Sequence, residues 1–138
     1  MSYLLDTNLL SEVRRPRPDP GVAMWFAEVA PERMSVSVLV LGEIRRGVEL
    51  LRGRDLARSL RLQEWLEELK ETFADRVIDV SAPVAETWGR IDGQRRLPVV
   101  DGLLAATALV HGLVVVTRDT APFEQAGVPF LDPWSSPR

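Results

Sequence analysis

The chain has 138 residues, a formal net charge of -3 and a hydrophobic fraction of 46%, values that are typical of one globular domain. It contains no cysteine, which excludes disulfides, thiolate nucleophiles and zinc-thiolate sites and makes the reducing cytoplasm the expected compartment. No apolar run approaches the roughly 18 residues of a membrane-spanning helix, and no secretory signal pattern follows Met1.

The positive charge is carried almost entirely by arginine. Lys70 is the only lysine among 17 basic residues. The planar guanidinium group suits bidentate binding of phosphate or carboxylate, although GC-rich coding also produces an arginine bias. If four of the 20 acidic residues occupy a metal site, 20 minus 4 leaves 16 acids against 17 bases. The acidic balance therefore does not exclude a nucleic-acid substrate.

The first predicted element is a buried strand that ends in a carboxylate. Residues 3–8 read YLLDTN, in which the apolar run stops at Asp6. A central strand of a parallel sheet is covered on both faces, and ligands gather at the carboxyl ends of such strands. Asp6 is therefore either the N-cap of the next helix or a site residue. The choice depends on whether other carboxylates lie beside it.

Helices and strands alternate through the next part of the chain. A short helix from Leu9 to Val13 should end at the sequence RPRP, because each proline pushes the preceding residue out of the helical region. The following predicted elements are a helix from Asp19 or Pro20 to Pro31, a strand from Met34 to Val40, a helix that carries Glu43 one turn from its start, and a helix from Asp55 to about Phe73.

The second half repeats the alternation of strand and helix. Its predicted elements are a strand from Val77 to Val80, a helix from Ser81 or Ala82 to Arg96, a helix beginning at Asp101, a buried strand from Leu113 to Val116, a short helical turn at Pro122 and Phe123, and an edge strand from Val128 to Leu131. This order predicts a single α/β domain over residues 1–138, with a central, mainly parallel sheet flanked by helices.

Four carboxylates from separate elements could meet at one site. They are Asp6, Glu43, Asp101 and Asp119, of which the first and last follow predicted central strands. Like charges that converge need a cation, and an all-oxygen cluster favours Mg²⁺ or Mn²⁺. Such ions activate water for attack on a phosphodiester. The expected supporting hydroxyls and amide are those of Thr7, Asn8, Ser11 and Thr117.

Four ordered motifs then make the sequence recognisable. They read YLLDTNLLSEV, LGEIRRGVELL, VVDGLLAATAL and VVVTRDTAPF, and they span nearly the whole chain. In these motifs the chain resembles the PIN-domain ribonucleases and, within them, the toxins of VapBC type toxin–antitoxin systems on the FitB-like branch. The resemblance implies a Mg²⁺- or Mn²⁺-dependent endoribonuclease that is inhibited by a small VapB-like antitoxin and forms a homodimer.

The resemblance also implies roles for individual residues. Asp6, Glu43 and Asp101 match the metal-binding acids of the family, and Asp119 matches its fourth polar position. Many members read TRN, two further residues and then DF, whereas this chain reads TRDTAPF. Asp119 thus occupies the place of the asparagine. Arg118, beside it, is expected to hold the phosphates that flank the cleaved bond.

Two other functions fit part of the pattern. Haloacid-dehalogenase-like phosphotransferases also begin with a strand that ends in aspartate, but they need a second aspartate two residues later, where this chain has Asn8. The alternative that stays open is a catalytically silent PIN module that binds RNA or protein. The presence of all four acids argues against it, because a silent domain has no reason to keep clustered negative charge.

Overall fold

The computed structural model describes residues 1–135, and a five-stranded sheet in which every strand pair is parallel forms its centre. In chain order the strands are β1 (Tyr3–Leu5), β2 (Met34–Ser37), β3 (Val77–Ile78), β4 (Val114–Val116) and β5 (Phe130–Leu131). Their order across the sheet is β3-β2-β1-β4-β5. The strand order reverses at the central strand β1, which is the point where ligands bind in open parallel sheets.

Seven helices in residues 1–135 flank the sheet, and most begin at a residue that suits an N-cap. They are α1 (Thr7–Arg14), α2 (Pro20–Glu28), α3 (Val38–Arg52), α4 (Leu56–Thr72), α5 (Ala82–Gln94), α6 (Val99–His111) and α7 (Ala121–Gln125). The side chains that cap them are those of Asp6, Asp19, Ser37, Asp55 and Ser81. No helix within the described range has both the length and the apolar character needed to cross a membrane.

The central strand shows that the sheet is covered on both faces. Leu5 packs into a cluster with residues of α1 to α4, whereas Leu4 packs with α6 and α7. Both side chains are buried. Consecutive side chains of a strand point to opposite faces, so a strand buried on both sides must be apolar throughout. The predicted α/β class with a parallel sheet is confirmed.

The structure corrects several predicted boundaries. β2 ends at Ser37 and not at Val40, because the Ser37 hydroxyl accepts the N–H of Leu39 at 3.0 Å and starts α3 there. The helix α6 begins at Val99, before Asp101, so that this acid lies within its first turn. β3 and β5 have only 2 residues each. These edge strands are shorter than their apolar runs suggested.

Gly47 marks a close contact between two helices. A Cβ atom at this position would lie 3.2 Å from Cδ2 of Leu62. The glycine in the middle of α3 therefore lets α4 pack closely against it, and this contact offsets the helix-propensity cost of about 1 kcal/mol.

Candidate active site

Asp6 is the buried centre of the acidic site. Its Oδ1 accepts the N–H of Leu9 at 2.8 Å, and the Thr117 hydroxyl also hydrogen-bonds to its carboxylate. Burial raises the pKa of Asp6 from 3.8 to about 6, against the lowering effect of these two hydrogen bonds, and the charges of Glu43 and Asp101 raise it further. Asp6 is therefore both a helix cap and a member of an acidic cluster.

Glu43 reaches the site from α3. Its Oε1 accepts the hydroxyl hydrogen of Thr7 at 2.7 Å. Thr7 directly follows Asp6 in the chain, so this hydrogen bond holds the exposed Glu43 side chain beside the first acid. The distance in sequence between Thr7 and Glu43 is 36 residues, and the parallel pairing of β1 with β2 brings the two together.

Asp101 approaches from the other side, in the first turn of α6. Burial raises its pKa, and the negative charges of Asp119 and Glu43 raise it further. The positive end of the helix dipole stabilises a carboxylate in this position. The buried face of α6, which includes Ala105 and Ala108, packs against the sheet and sets the position of the turn.

Asp119 lies in the turn that follows β4. Its backbone N–H donates to the Thr117 hydroxyl at 3.0 Å, and its side chain is exposed. The charge of Asp119 acts on Asp101. Asp119 is therefore an outer member of the acidic cluster.

The inner acids share a small cleft of about 80 Å³. Its lining consists of Asp6, Thr7, Asn8, Glu43, Asp101 and Leu104. Among the described residues that line it, none is basic, so the buried negative charge has no counterion. An all-oxygen donor set with uncompensated charge fits a hard divalent cation. Nowhere in residues 1–135 do three acids already stand in the arrangement of an ion site.

Not every predicted supporting residue reaches this cleft. Thr7 and Asn8 line it, and Thr117 hydrogen-bonds to Asp6. Ser11, however, lies one turn beyond Thr7 on α1 and lines a different groove, so its supporting role stays a prediction. Arg118 also lies outside the cleft, with its guanidinium group 5.7 Å from the centre of the Trp134 ring.

One residue of the cleft was not predicted. Leu104 lines it beside the acids. The signal was present in the sequence, because a residue three positions after Asp101 on the same helix faces the same side.

A comparison with known families decides the identity of the fold. Residues 3–129 match the family model described as PIN domain. This chain belongs to the PIN-domain family. The predicted membership of the PIN-domain family is thus confirmed, and the acidic cleft lies at the carboxyl ends of the central strands of the PIN domain.

Similar proteins include named toxins and ribonucleases. The toxin FitB of Neisseria gonorrhoeae is 36% identical over 137 residues, which cover 95% of this chain and 97% of that protein. The VapC ribonuclease Y4jK of Sinorhizobium fredii is 32% identical over 137 residues, with 95% and 96% covered.

Two solved structures resemble this PIN domain over almost its whole length. The crystal structure of FitAcB from Neisseria gonorrhoeae has a TM-score of 0.87 at 35% identity and covers 97% of this chain and 99% of that one. A toxin-antitoxin complex from Klebsiella pneumoniae has a TM-score of 0.70 at 25% identity, with 96% and 98% covered.

Proposed function

We propose that this chain is an endoribonuclease that acts as the toxin of a toxin–antitoxin pair and depends on Mg²⁺ or Mn²⁺. The observation that carries the proposal is the cleft in which Asp6, Glu43 and Asp101 meet without a basic residue. The similarity to a named toxin and a named ribonuclease over nearly the whole chain supports the same conclusion.

The site residues have separate parts in this proposal. Asp6 and Asp101, the two acids with raised pKa values, would hold the cation, and Glu43 and Asp119 would complete its acidic surroundings. When bound, the cation would supply the Lewis acidity that activates a water molecule for in-line attack on an RNA phosphodiester. The products would be a 5′-phosphate and a 3′-hydroxyl, because the bond from phosphorus to the 3′ oxygen breaks.

The hydroxyl groups around the acids orient them. Thr117 and the N–H of Leu9 fix the carboxylate of Asp6, while Thr7 fixes that of Glu43. Such outer contacts reduce the freedom of the acids and so reduce the entropy lost when a ligand binds. Asn8, the remaining polar group of the cleft, is exposed and would orient water or substrate.

The proposal includes the partners that the resemblance implies. A VapB-like antitoxin would inhibit the enzyme, and this is supported by the likeness to the toxin-antitoxin complex from Klebsiella pneumoniae. A homodimer and a cytoplasmic location complete the proposal. The RNA substrate would enter at the side of the sheet formed by the carboxyl ends of the strands, where the acidic cleft opens.

RNA cleavage by the purified chain tests this function. Free of antitoxin, it should cleave RNA with Mg²⁺ or Mn²⁺ but not with a chelator, and end analysis should find 5′-phosphates. A double variant with Asp6→Asn and Asp101→Asn should be inactive, and unchanged cleavage by it would refute the site. If the cation raises the melting temperature while no RNA is cleaved, the silent binding module is the correct function.

Gly102 provides a second test, because it lets Trp88 approach the turn that carries Asp101. A Cβ atom at Gly102 would lie 3.0 Å from Cδ1 and 3.1 Å from Nε1 of Trp88. Either the indole or the first turn of α6 must therefore yield by a few tenths of an ångström. We expect Gly102→Ala to lower kcat for RNA cleavage by about 10-fold in a steady-state assay, because misplacement of a catalytic group by about 1 Å costs about 100-fold and the shift here is smaller.

The matched control is Gly42→Ala, beside the other site acid Glu43. A Cβ atom at Gly42 would have nothing within 4 Å. This variant should keep full activity and gain up to about 1 kcal/mol in unfolding free energy from helix propensity. Equal activity of both alanine variants would show that the contact with Trp88 does not position Asp101.

A further inference from the structure

The segment between α1 and α2 carries arginines that the proposed chemistry does not use. Residues 15–18 read RPRP, and Arg15 has the extended backbone angles φ -64° and ψ 148°. Each proline fixes its own φ near -65°. Arg15 and Arg17 are therefore carried on a stiff backbone, which reduces the entropy that their immobilisation by a ligand would cost.

On one side of this segment lies a groove of about 390 Å³ that contains arginine and no acid. Its lining residues are Ser11, Arg14, Arg15, Pro16 and Arg61. The guanidinium group of Arg14 lies 5.0 Å from the centre of the Trp65 ring, which holds it in place. The groove thus presents a positive surface in which one guanidinium group is held by an aromatic ring.

A second groove, of about 310 Å³, also borders this segment. It is lined by Glu12, Arg15, Arg17, Pro18, Asp19, Pro20, Arg118 and Trp134. Both of its acids are engaged within the protein. Glu12 accepts the Asp19 N–H at 2.8 Å and pairs with Arg15 at 3.2 Å, and Asp19 accepts the hydroxyl and N–H of Ser135 at 2.7 and 2.9 Å.

The two grooves share Arg15 and form one continuous surface. We call it the arginine band and define it by Arg14, Arg15, Arg17, Arg61 and Arg118. In residues 1–135, Arg17 and Arg61 form no ion pair with any acid. Their charges are therefore free to meet an external anion.

The part of the band around Arg14, Arg15 and Arg17 lies at the end of α1 that is remote from Asp6, whereas Arg118 directly precedes Asp119. The helix begins beside Asp6 and ends at Arg14, and 8 residues of helix span about 12 Å. A single RNA strand with one phosphodiester in the cleft could therefore lie along α1, and its neighbouring phosphates would meet the guanidinium groups of the band.

We propose that the arginine band binds the phosphate backbone of the RNA substrate outside the acidic cleft. The proposal rests on the function proposed above. A cleft lined by carboxylates repels a polyanion, so most of the affinity for RNA must come from positive groups elsewhere. Arginine suits this task because its planar fork binds phosphate bidentately. Several such groups on one surface match the repeated negative charge of a phosphodiester strand.

The experiment compares two variants that remove the same charge. Arg17→Ala with Arg61→Ala removes two band residues, and Arg33→Ala with Arg90→Ala removes two exposed arginines outside it. Arg33 comes directly before β2, so it lies at the amino ends of the parallel strands, opposite the cleft at their carboxyl ends. Binding of a labelled single-stranded RNA is followed by fluorescence anisotropy in chelator, where no hydrolysis occurs, over a series of salt concentrations.

The band variant should bind RNA about 20-fold more weakly at about 0.1 M salt, and its slope of log Kd against log salt should fall by about 1.4, since each lost contact to a single strand contributes about 0.7. The control variant should bind as the unchanged protein does. Hydrolysis of bis(p-nitrophenyl) phosphate, which is too small to reach the band, should be equal in all three proteins.

The outcomes separate the two proposals. If no diester is hydrolysed but the band variant alone loses RNA affinity, the ribonuclease function fails and the band stands. Equal RNA affinity and equal salt slope for both double variants would overturn the band. The same holds if the band variant loses affinity only for an acidic polypeptide and not for RNA. Matching melting temperatures confirm that each variant is folded.

Discussion

Replacing Asp6 by asparagine should abolish RNA cleavage and at the same time stabilise the metal-free fold. Loss of a carboxylate that holds the cation removes several kcal/mol of transition-state stabilisation, which corresponds to a rate decrease of about 100-fold or more. Stability should change in the opposite direction. Asparagine is also a good N-cap, so its side-chain oxygen can still accept the N–H of Leu9, while the buried charge disappears.

The pH dependence separates these effects. The folded-state pKa of about 6 for Asp6 lies above the ordinary value of 3.8, so the folded state binds a proton more tightly than the unfolded state does. The resulting stabilisation is fully present below about pH 4 and is lost as the pH rises through about 6. The full difference corresponds to about 3 kcal/mol. Asp6→Asn should therefore match the unchanged protein near pH 4 and exceed its unfolding free energy by up to this amount above pH 7.

Urea unfolding in chelator measures this difference, and Asp75→Asn is the matched control. The Asp75 side chain is 85% exposed and pairs with Arg76 at the surface, where an ion pair contributes little. The control should keep full activity and the pH profile of the unchanged protein. An Asp6→Asn variant that is inactive and equally destabilised at every pH would show that Asp6 has a structural role only.

Addition of Mn²⁺ should raise the unfolding free energy of the unchanged protein by about 2.7 kcal/mol when the ion is present at about 100 times its Kd. The physical reason is that the cation offsets the negative charge of Asp6 and Asp101, whose pKa values are raised first by burial and then by the charges of neighbouring acids. Protons compete for the same oxygens, so the effect should diminish as the pH falls below about 6. Thermal melting with a Mn²⁺ titration at two pH values measures it.

Two variants locate the ion. Asp101→Asn should remove most of the response to Mn²⁺, while Glu64→Gln, an exposed acid of α4, should leave it unchanged. The same response in Asp101→Asn would place the bound ion elsewhere, for example on the acidic face of α4. Together the two variants distinguish a site in the cleft from general screening of negative charge.

Much of this fold can be predicted because its signals are local. The apolar run of β1 ends at Asp6, Ser81 is followed by a proline two residues later, and Gly112 adopts a positive φ of 66° at the end of α6. Each of these features depends on neighbours within a few residues along the chain. The expected convergence of the acids followed from one general rule, that the carboxyl ends of parallel strands meet at the same edge, whereas the order of the strands across the sheet came only from the structure.

The sequence by itself determined the α/β alternation, the PIN-domain motifs and the four acids. Only the tertiary structure decided which side chains from different elements share a surface. It placed Ser11 in a groove with Arg61, outside the acidic cleft, and it joined Arg15, Arg61 and Arg118 in one band. The reason is that these neighbours come from different elements. Their distances depend on how α1, α4 and the turn after β4 pack around the sheet, and no local pattern encodes that packing.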